Sequence, residues 1–389
     1  MKSVEVSQRI KNLPKYLFAE IDRMKKEVAA KGVDIISLGI GDNDLPTPSF
    51  IVDALCKGAN NPENHRYPDY EGALRFRVAV AQWYKKRFGI ELDPKSEITA
   101  LIGSKEGIAH LPMAFVNPGD YVLVPDPGYP VYGIMSGMTG AAVHRIPLLE
   151  ENDFLPDLGG IPKDVVSKAK ILFINYPNNP TGASAPREFF EKTIDFCREN
   201  GILLAVDAAY SEIHYGKNVF RSTFDITGAK DCVIEFHSLS KTYNMTGWRV
   251  GFAAGGAKLI DALLKVKTNL DSGVFTAVQD AAIAALSSDQ KCVEESRVIF
   301  RRRRDRVAAA LEKFGFSFRM PEGAFYFWVK VPKGKSSAKF CMEVLENCGV
   351  VLTPGNGFGT YGEGYFRISL TTPDARIDEA LERMAGYLK

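Results

Sequence analysis

The sequence predicts an α/β protein with a mostly parallel sheet and a second, smaller α+β domain. Short β-rich runs alternate with helical patterns through the middle of the chain, the arrangement that lays helices over a parallel sheet. Most of these runs end in the chemically unusual residues of the sequence. Ligands of open α/β sheets gather beyond the carboxyl ends of the strands, so those residues are expected to share one cleft. From about Leu286 the pattern changes to a long charged helix followed by strand and helix signals.

Taken in order, the N-terminal segment carries a helical pattern from Tyr16 to Ala30, the apolar run Ile35–Leu38 and the loop GIGDNDLPTP, and is expected to return to the smaller domain. Candidate strands of the large sheet are Ile98–Ile102, Tyr121–Val124, Ala169–Asn175, Gly201–Val206, Cys232–Phe236 and Arg249–Ala253. Glu294 to Phe314 has the pattern of an amphipathic helix, and its run Arg301 to Arg304 reads as a solvated face. A β-rich segment Ala324–Val331, a helix Ser337–Cys348 and a strand-helix pair ending at Leu388 complete the chain. The expected division is 1–46 as an N-terminal arm and part of the small domain, 47–285 as the large domain, and 286–389 as the small domain. No internal repeat or low-complexity linker interrupts it.

Composition excludes several classes. With 389 residues, 46% apolar and 25% charged, the chain is of ordinary globular type. Its formal net charge of only +2 offers no electrostatic reason to expect nucleic acid or an anionic membrane as partner. The six cysteines are scattered without a CxxC pair, and the five histidines show no HExxH spacing, so no metal is expected. The N-terminus lacks the apolar core of a signal peptide and no run is long enough to span a bilayer, which makes a cytoplasmic protein the expectation.

The chemistry concentrates in HSLSKTYNMTGWRVGF, His237 to Phe252, where Lys241 follows a buried-looking strand and precedes Arg249. A nearby positive charge disfavours the ammonium form and leaves more free amine for attack on an aldehyde. Asp207 ends the apolar run GILLAVD, where a carboxylate is costly to bury without a cation such as a protonated pyridine. Tyr210, in DAAY, and Asn179, in YPNNPTG, are placed to donate to a ring oxygen. In ALIGSKEGIAHLPMAF a strand, the loop Gly103-Ser104-Lys105 and an amphipathic helix follow one another, and N–H groups at such a helix start bind phosphate. No GxxxxGK[ST] is present, so this is not a nucleotide loop. Ser238, Ser240 and Arg249 add hydroxyl and guanidinium contacts for the same phosphate. Tyr129, in PDPGYPVYG, can stack on a pyridine face, and Arg367, buried in GYFRISL, wants a planar carboxylate. These demands meet in one cofactor, pyridoxal 5′-phosphate, held as a Schiff base on Lys241.

NPTG, DxAY, SxSKxxxxxGWRxG and FRIS, in that order, make the chain resemble the fold-type I aminotransferases of classes I and II from about residue 15 to 389. The resemblance implies the aspartate aminotransferase-like fold, with a mostly parallel seven-stranded sheet in the large domain. It also implies Lys241 as cofactor anchor and general base, Asp207 at the pyridine nitrogen, Asn179 and Tyr210 at the 3′-oxygen, and Tyr129 on the ring. Ser104, Lys105, Ser238, Ser240 and Arg249 would hold the phosphate. Tyr67, in RYPDYEGALRFR, matches the tyrosine that crosses to a neighbouring subunit's cofactor, implying a homodimer with shared sites. Arg367 and Gly41 would take the substrate carboxylate in a site that Lys105, Tyr129 and Asn179 also line. LPKYLFAEID, LGIGDNDLPTP and IGSKEGIAH look most like the LL-diaminopimelate aminotransferases of lysine biosynthesis, in which Tyr16 would line the substrate site. Amino-acid and 2-oxo-acid substrates follow from this. Aspartate, alanine or aromatic amino acids as substrates and C–S lysis on the same scaffold remain alternatives. No match is found to the side-chain arginine that classical aspartate aminotransferases place before TNLDSGVF.

Overall fold

The computed structural model describes residues 3–11, 13 and 17–388, and the strands among them fall in three sheets. In chain order they are β1 (Ile36–Ser37), β2 (Ile98–Leu101), β3 (Tyr121–Asp126), β4 (Ala142–Pro147), β5 (Ala169–Asn175), β6 (Leu203–Asp207), β7 (Val233–Ser238), β8 (Gly251–Gly255), β9 (Tyr326–Lys330), β10 (Val350–Val351), β11 (Thr353–Pro354) and β12 (Tyr365–Ser369). The large sheet has seven strands in the order β2-β8-β7-β6-β5-β3-β4. Only β8 runs against its neighbours, and the pairs β4–β3–β5–β6–β7 are all parallel. The aspartate aminotransferase-like sheet expected from the sequence is present.

The central strands are buried along almost their whole length because helices cover both faces, and they are mostly apolar, with Glu235 and His237 of β7 as enclosed exceptions. One face packs Leu101, Val122, Phe173, Ala205 and Phe236 against Ile108 and Leu111 of the helix Ser104–Phe115. On the other, Leu172, Ile174, Leu204 and Val206 meet Phe190 and Ile194 of the helix Arg187–Asn200. β4 was not expected from the sequence. It is one of the two edge strands, its burial is incomplete and it carries His144, Arg145 and Pro147, so neither an apolar run nor a clean alternation marks it.

A separate core joins β9 and β12 to the long helix Lys291–Lys313, the helix Ser337–Cys348 and the helix Asp374–Leu388 through Phe300, Val307, Phe340, Val344, Phe366 and Ile377. Ser336 caps the middle helix by accepting from Lys339 N, and Gly349 ends it at φ 66. β1 pairs in parallel with β10, which brings Ile36 and Leu38 into this core. The expected helix near Tyr16 spans Leu17–Ala29.

The arginine run is only in part a solvated face: Arg301 and Arg302 are exposed, whereas Arg303 and Arg304 turn inward. Arg303 is 2% exposed, and donates to both carboxylate oxygens of Asp44 at 2.7 and 2.8 Å, to Asp374 at 3.2 Å and to the Leu370 carbonyl at 2.9 Å. Arg304 lies over the Tyr215 ring at 4.8 Å. A helix packed along one side turns some of any four consecutive residues inward, and here acids on facing segments supply the pairing that burial demands. Among the described residues, no helix is long and apolar enough to cross a membrane.

Candidate active site

A cavity of about 410 Å³ opens at the carboxyl ends of the parallel strands. β5 delivers Asn175 to it, β6 delivers Asp207, β7 ends in Ser238, and the short helix after it delivers Ser240 and Lys241. Ile40 and Gly41 come from the loop after β1, while Tyr326 and Arg367 come from β9 and β12.

Lys241 sits in the short helix Leu239–Thr242, where Ser238 accepts from Ser240 N at 3.3 Å. Its Nζ donates to the Gly41 carbonyl at 2.8 Å and lies 5.7 Å from the Phe325 ring centroid. Burial pulls the ammonium down to about 8; Asp42 opposes this, and Arg249 and Arg367 reinforce it. Burial therefore outweighs Arg249, the cause expected from the sequence.

Asp207 is enclosed at the end of β6. Its Oδ2 accepts from the Tyr132 hydroxyl at 2.7 Å and its Oδ1 from Ala209 N at 3.3 Å, and the Asn175 side chain donates to its carbonyl at 2.7 Å. Burial still raises its carboxyl to about 6, against the lowering by Tyr132, Ala209 and His237. A buried acid with so few donors is suited to a cation, which a protonated ring nitrogen provides.

Tyr210, three residues on, shares a 2.9 Å hydrogen bond with the Tyr326 hydroxyl. Arg367 is 1% exposed, donates from Nη1 to Asn179 Oδ1 at 2.6 Å and from Nη2 to the Gly39 carbonyl at 2.6 Å. The rings of Tyr326 and Phe358 lie 4.2 and 4.7 Å from its guanidinium carbon. Because Asn179 accepts through Oδ1, its amide N–H groups are left to donate, as the sequence reading required.

At the other end of the cavity the helix Ser104–Phe115 begins beside Arg249. Gly103 precedes it at φ 76, and a Cβ there would lie 2.3 Å from an Arg249 guanidinium nitrogen. Arg249 is itself held in the left-handed region at φ 56, with Nη1 donating to the Thr246 carbonyl at 2.9 Å. Helix N–H groups, Ser104, Ser238, Ser240 and a guanidinium thus face one corner, a donor set that fits a phosphate. Lys105 and Tyr129 line the same cavity.

Lys241, Asp207, Tyr210, Asn179, Tyr129, Ser104, Lys105, Ser238, Ser240, Arg249, Gly41 and Arg367 are accordingly brought together. Tyr67 is not, being 88% exposed away from the cavity, and Tyr16 lies outside the described residues. Sequence reasoning missed Asn175, Tyr132 and Tyr326. Asn175 ends an apolar strand and pairs in register with Asp207, the same signal that singled out Asp207. Tyr132 stands one helical turn beyond Tyr129, but Tyr326 is one aromatic residue among many in a β-rich run and had no local signal.

The family model for class I and II aminotransferases matches residues 33–384. The chain belongs to this family. An LL-diaminopimelate aminotransferase of Nitratidesulfovibrio vulgaris (strain DSM 19637 / Miyazaki F) is 58% identical over 99% of this chain and 100% of its own length. The apo structure of BacF from Bacillus subtilis superposes with a TM-score of 0.96 at 37% identity, covering 100% of this chain and 99% of that one. An aspartate aminotransferase single mutant of Thermus thermophilus does so at 0.92 and 28%, covering 99% and 100%. For an aminotransferase, the arrangement supplies a partly uncharged amine, a buried acid and a buried guanidinium around one space.

Proposed function

We propose that this aminotransferase uses pyridoxal 5′-phosphate to interconvert LL-2,6-diaminopimelate plus 2-oxoglutarate with tetrahydrodipicolinate plus glutamate, a step of lysine biosynthesis. The full-length likeness to the Nitratidesulfovibrio enzyme carries the choice of substrate. The convergence of Lys241, Asp207 and Arg367 on one cavity carries the choice of cofactor.

In this reading Lys241 anchors the cofactor, Asp207 pairs with its ring nitrogen, and Asn179 and Tyr210 donate to its 3′-oxygen. Tyr129 covers the ring, while Ser104, Lys105, Ser238, Ser240 and Arg249 hold the phosphate. When bound, the cofactor supplies an electron-withdrawing ring that stabilises negative charge at the substrate α-carbon. Arg367, held against the Tyr326 and Phe358 rings, orients the α-carboxylate with its planar guanidinium, with the Gly41 backbone beside it. Lys241 Nζ accepts the α-proton, which requires the uncharged amine that burial provides. Lys105, Tyr129 and Asn179 face the substrate, and Tyr16 is assigned to the same role from its sequence position.

The proposal includes a large domain over 47–285 with 1–46 and 286–389 outside it, a cytoplasmic location and a homodimer. The exposed Tyr67 reaches the partner's cofactor in that dimer. The deciding experiment is a half-reaction screen that follows loss of the bound cofactor's visible band with LL-diaminopimelate, aspartate, alanine, glutamate and phenylalanine separately. A preference for LL-diaminopimelate and glutamate is expected; preference for aspartate, alanine or phenylalanine would reassign the substrate. Pyruvate and ammonia released from cystathionine without an acceptor would instead indicate C–S lysis.

A further inference from the structure

The Tyr326 hydroxyl takes no part in that mechanism, yet the residue touches three of the groups that do. It is 2% exposed on β9, paired across to Ser369 of β12. Its hydroxyl lies 2.9 Å from that of Tyr210, its ring faces the Arg367 guanidinium at 4.2 Å, and a Cβ added to Gly41 would fall 1.9 Å from its oxygen. From the far side, the turn of YPNNPTG closes on its backbone, since a Cβ on Gly182 would lie 2.7 Å from the Tyr326 carbonyl. The ring is clamped in one orientation.

We propose that Tyr326 is a positioning residue that sets the direction of the Tyr210 hydroxyl and seats Arg367, joining the cofactor end of the site to the carboxylate end. A phenol has one O–H to give. If Tyr210 gives it to the cofactor's 3′-oxygen, the bond between the two tyrosines must run the other way, with Tyr326 donating and Tyr210 accepting. A hydroxyl that accepts one hydrogen bond is polarised into a better donor of the next. The charge of Arg367 on the Tyr326 face makes Tyr326 the better donor of the pair, so the chain Arg367, Tyr326, Tyr210 is oriented along its whole length. The inference rests on the pyridoxal phosphate reading of the cavity, because the direction of the bond follows from what Tyr210 contacts.

The test compares the holoenzyme with Tyr326→Phe, which keeps the ring and loses the hydroxyl, and Tyr326→Leu, which loses both. The visible band of the bound cofactor is titrated against pH, and steady-state kinetics are measured on each protein. For Tyr326→Phe the midpoint should rise by roughly half a pH unit, because a weakened Tyr210 donor leaves the 3′-oxygen more basic, while KM stays within about twofold and kcat falls several-fold. Tyr326→Leu should show the same rise and in addition a KM for the amino substrate roughly tenfold higher, as Arg367 loses its platform. Gly41→Ala, which displaces the hydroxyl without removing it, should move the midpoint in the same direction and serves if the Tyr326 variants do not fold. An unchanged midpoint in Tyr326→Phe, or in Gly41→Ala if that is the folded variant, overturns the inference. A wild-type protein that binds no cofactor and shows no visible band overturns instead the reading on which it rests.

Discussion

The Tyr132 hydroxyl donates to Asp207 Oδ2 across 2.7 Å inside a fully enclosed site, and yet the carboxyl of Asp207 is raised from 3.8 to about 6. Desolvation thus exceeds what the phenol returns. An acid whose pKa is raised in the folded state holds its proton more tightly folded than unfolded, so its contribution to stability is lost as pH rises from 3.8 to about 6 and is constant above that. The loss amounts to about 3 kcal/mol. Protein stripped of cofactor should therefore show a gap in unfolding free energy, Asp207→Asn above wild type, that widens as urea titrations move from pH 4 toward pH 6. Saturating cofactor should narrow it, by giving the charged acid a cation. A gap independent of pH would mean that Asp207 is not under this strain.

Lys241 sits at about 8, lowered chiefly by burial. Only the uncharged amine can attack an aldehyde, so the rate of cofactor capture by stripped protein should fall roughly tenfold for each pH unit below 8 and level off above it. Lys241→Ala should lose the covalent linkage, seen as no cofactor mass added to the chain after borohydride reduction, and at least a thousandfold in turnover. A borohydride-stable adduct in the variant would move the anchor to another lysine.

Gly103 is confined twice, by its φ of 76 and by the Arg249 guanidinium 2.3 Å from where a Cβ would stand. Gly103→Ala should push Arg249 out of the phosphate corner and weaken cofactor affinity tenfold or more, with a smaller effect on affinity for pyridoxal lacking the phosphate. Equal loss for both would place the damage elsewhere.

Arg303 links the loop after β1 to the helix Asp374–Leu388 through Asp44 and Asp374. Arg303→Met should cost about 3 kcal/mol in denaturant unfolding, because the partly buried Asp44 loses its bidentate partner, whereas Asp374 keeps Arg302. Arg302→Ala, next to it and half exposed, should change little. Comparable losses would show that the buried member of the run is not special.

Much of the sheet was legible because its inner strands are covered on both faces and read as largely apolar runs; Ala169–Asn175 has the bounds expected of it. The half-solvated edge strand Ala142–Pro147 was not, unlike the fully buried opposite edge Ile98–Leu101, since partly exposed strands with charged residues and proline look like loops. The site was legible where a polar residue ends an apolar strand, as Asp207 does, or stands in a short motif, as Lys241 and Asn179 do. Tyr326 and Arg303 were invisible for one reason. Each earns its place from partners far along the chain, Tyr210 and Gly41 for one and Asp44 and Asp374 for the other, and neither helical nor strand periodicity encodes such meetings.

The loop after β1 presents its carbonyls to two of the cavity's basic groups, Gly41 to Lys241 and Gly39 to Arg367. Once the amine of Lys241 is engaged by a ligand it has fewer protons to give, and the segment from Gly39 to Pro46 surrenders one of its fastenings. Amide exchange in that stretch is then a gauge of occupancy, faster with the amine in covalent use than with it free, and readable without any chromophore.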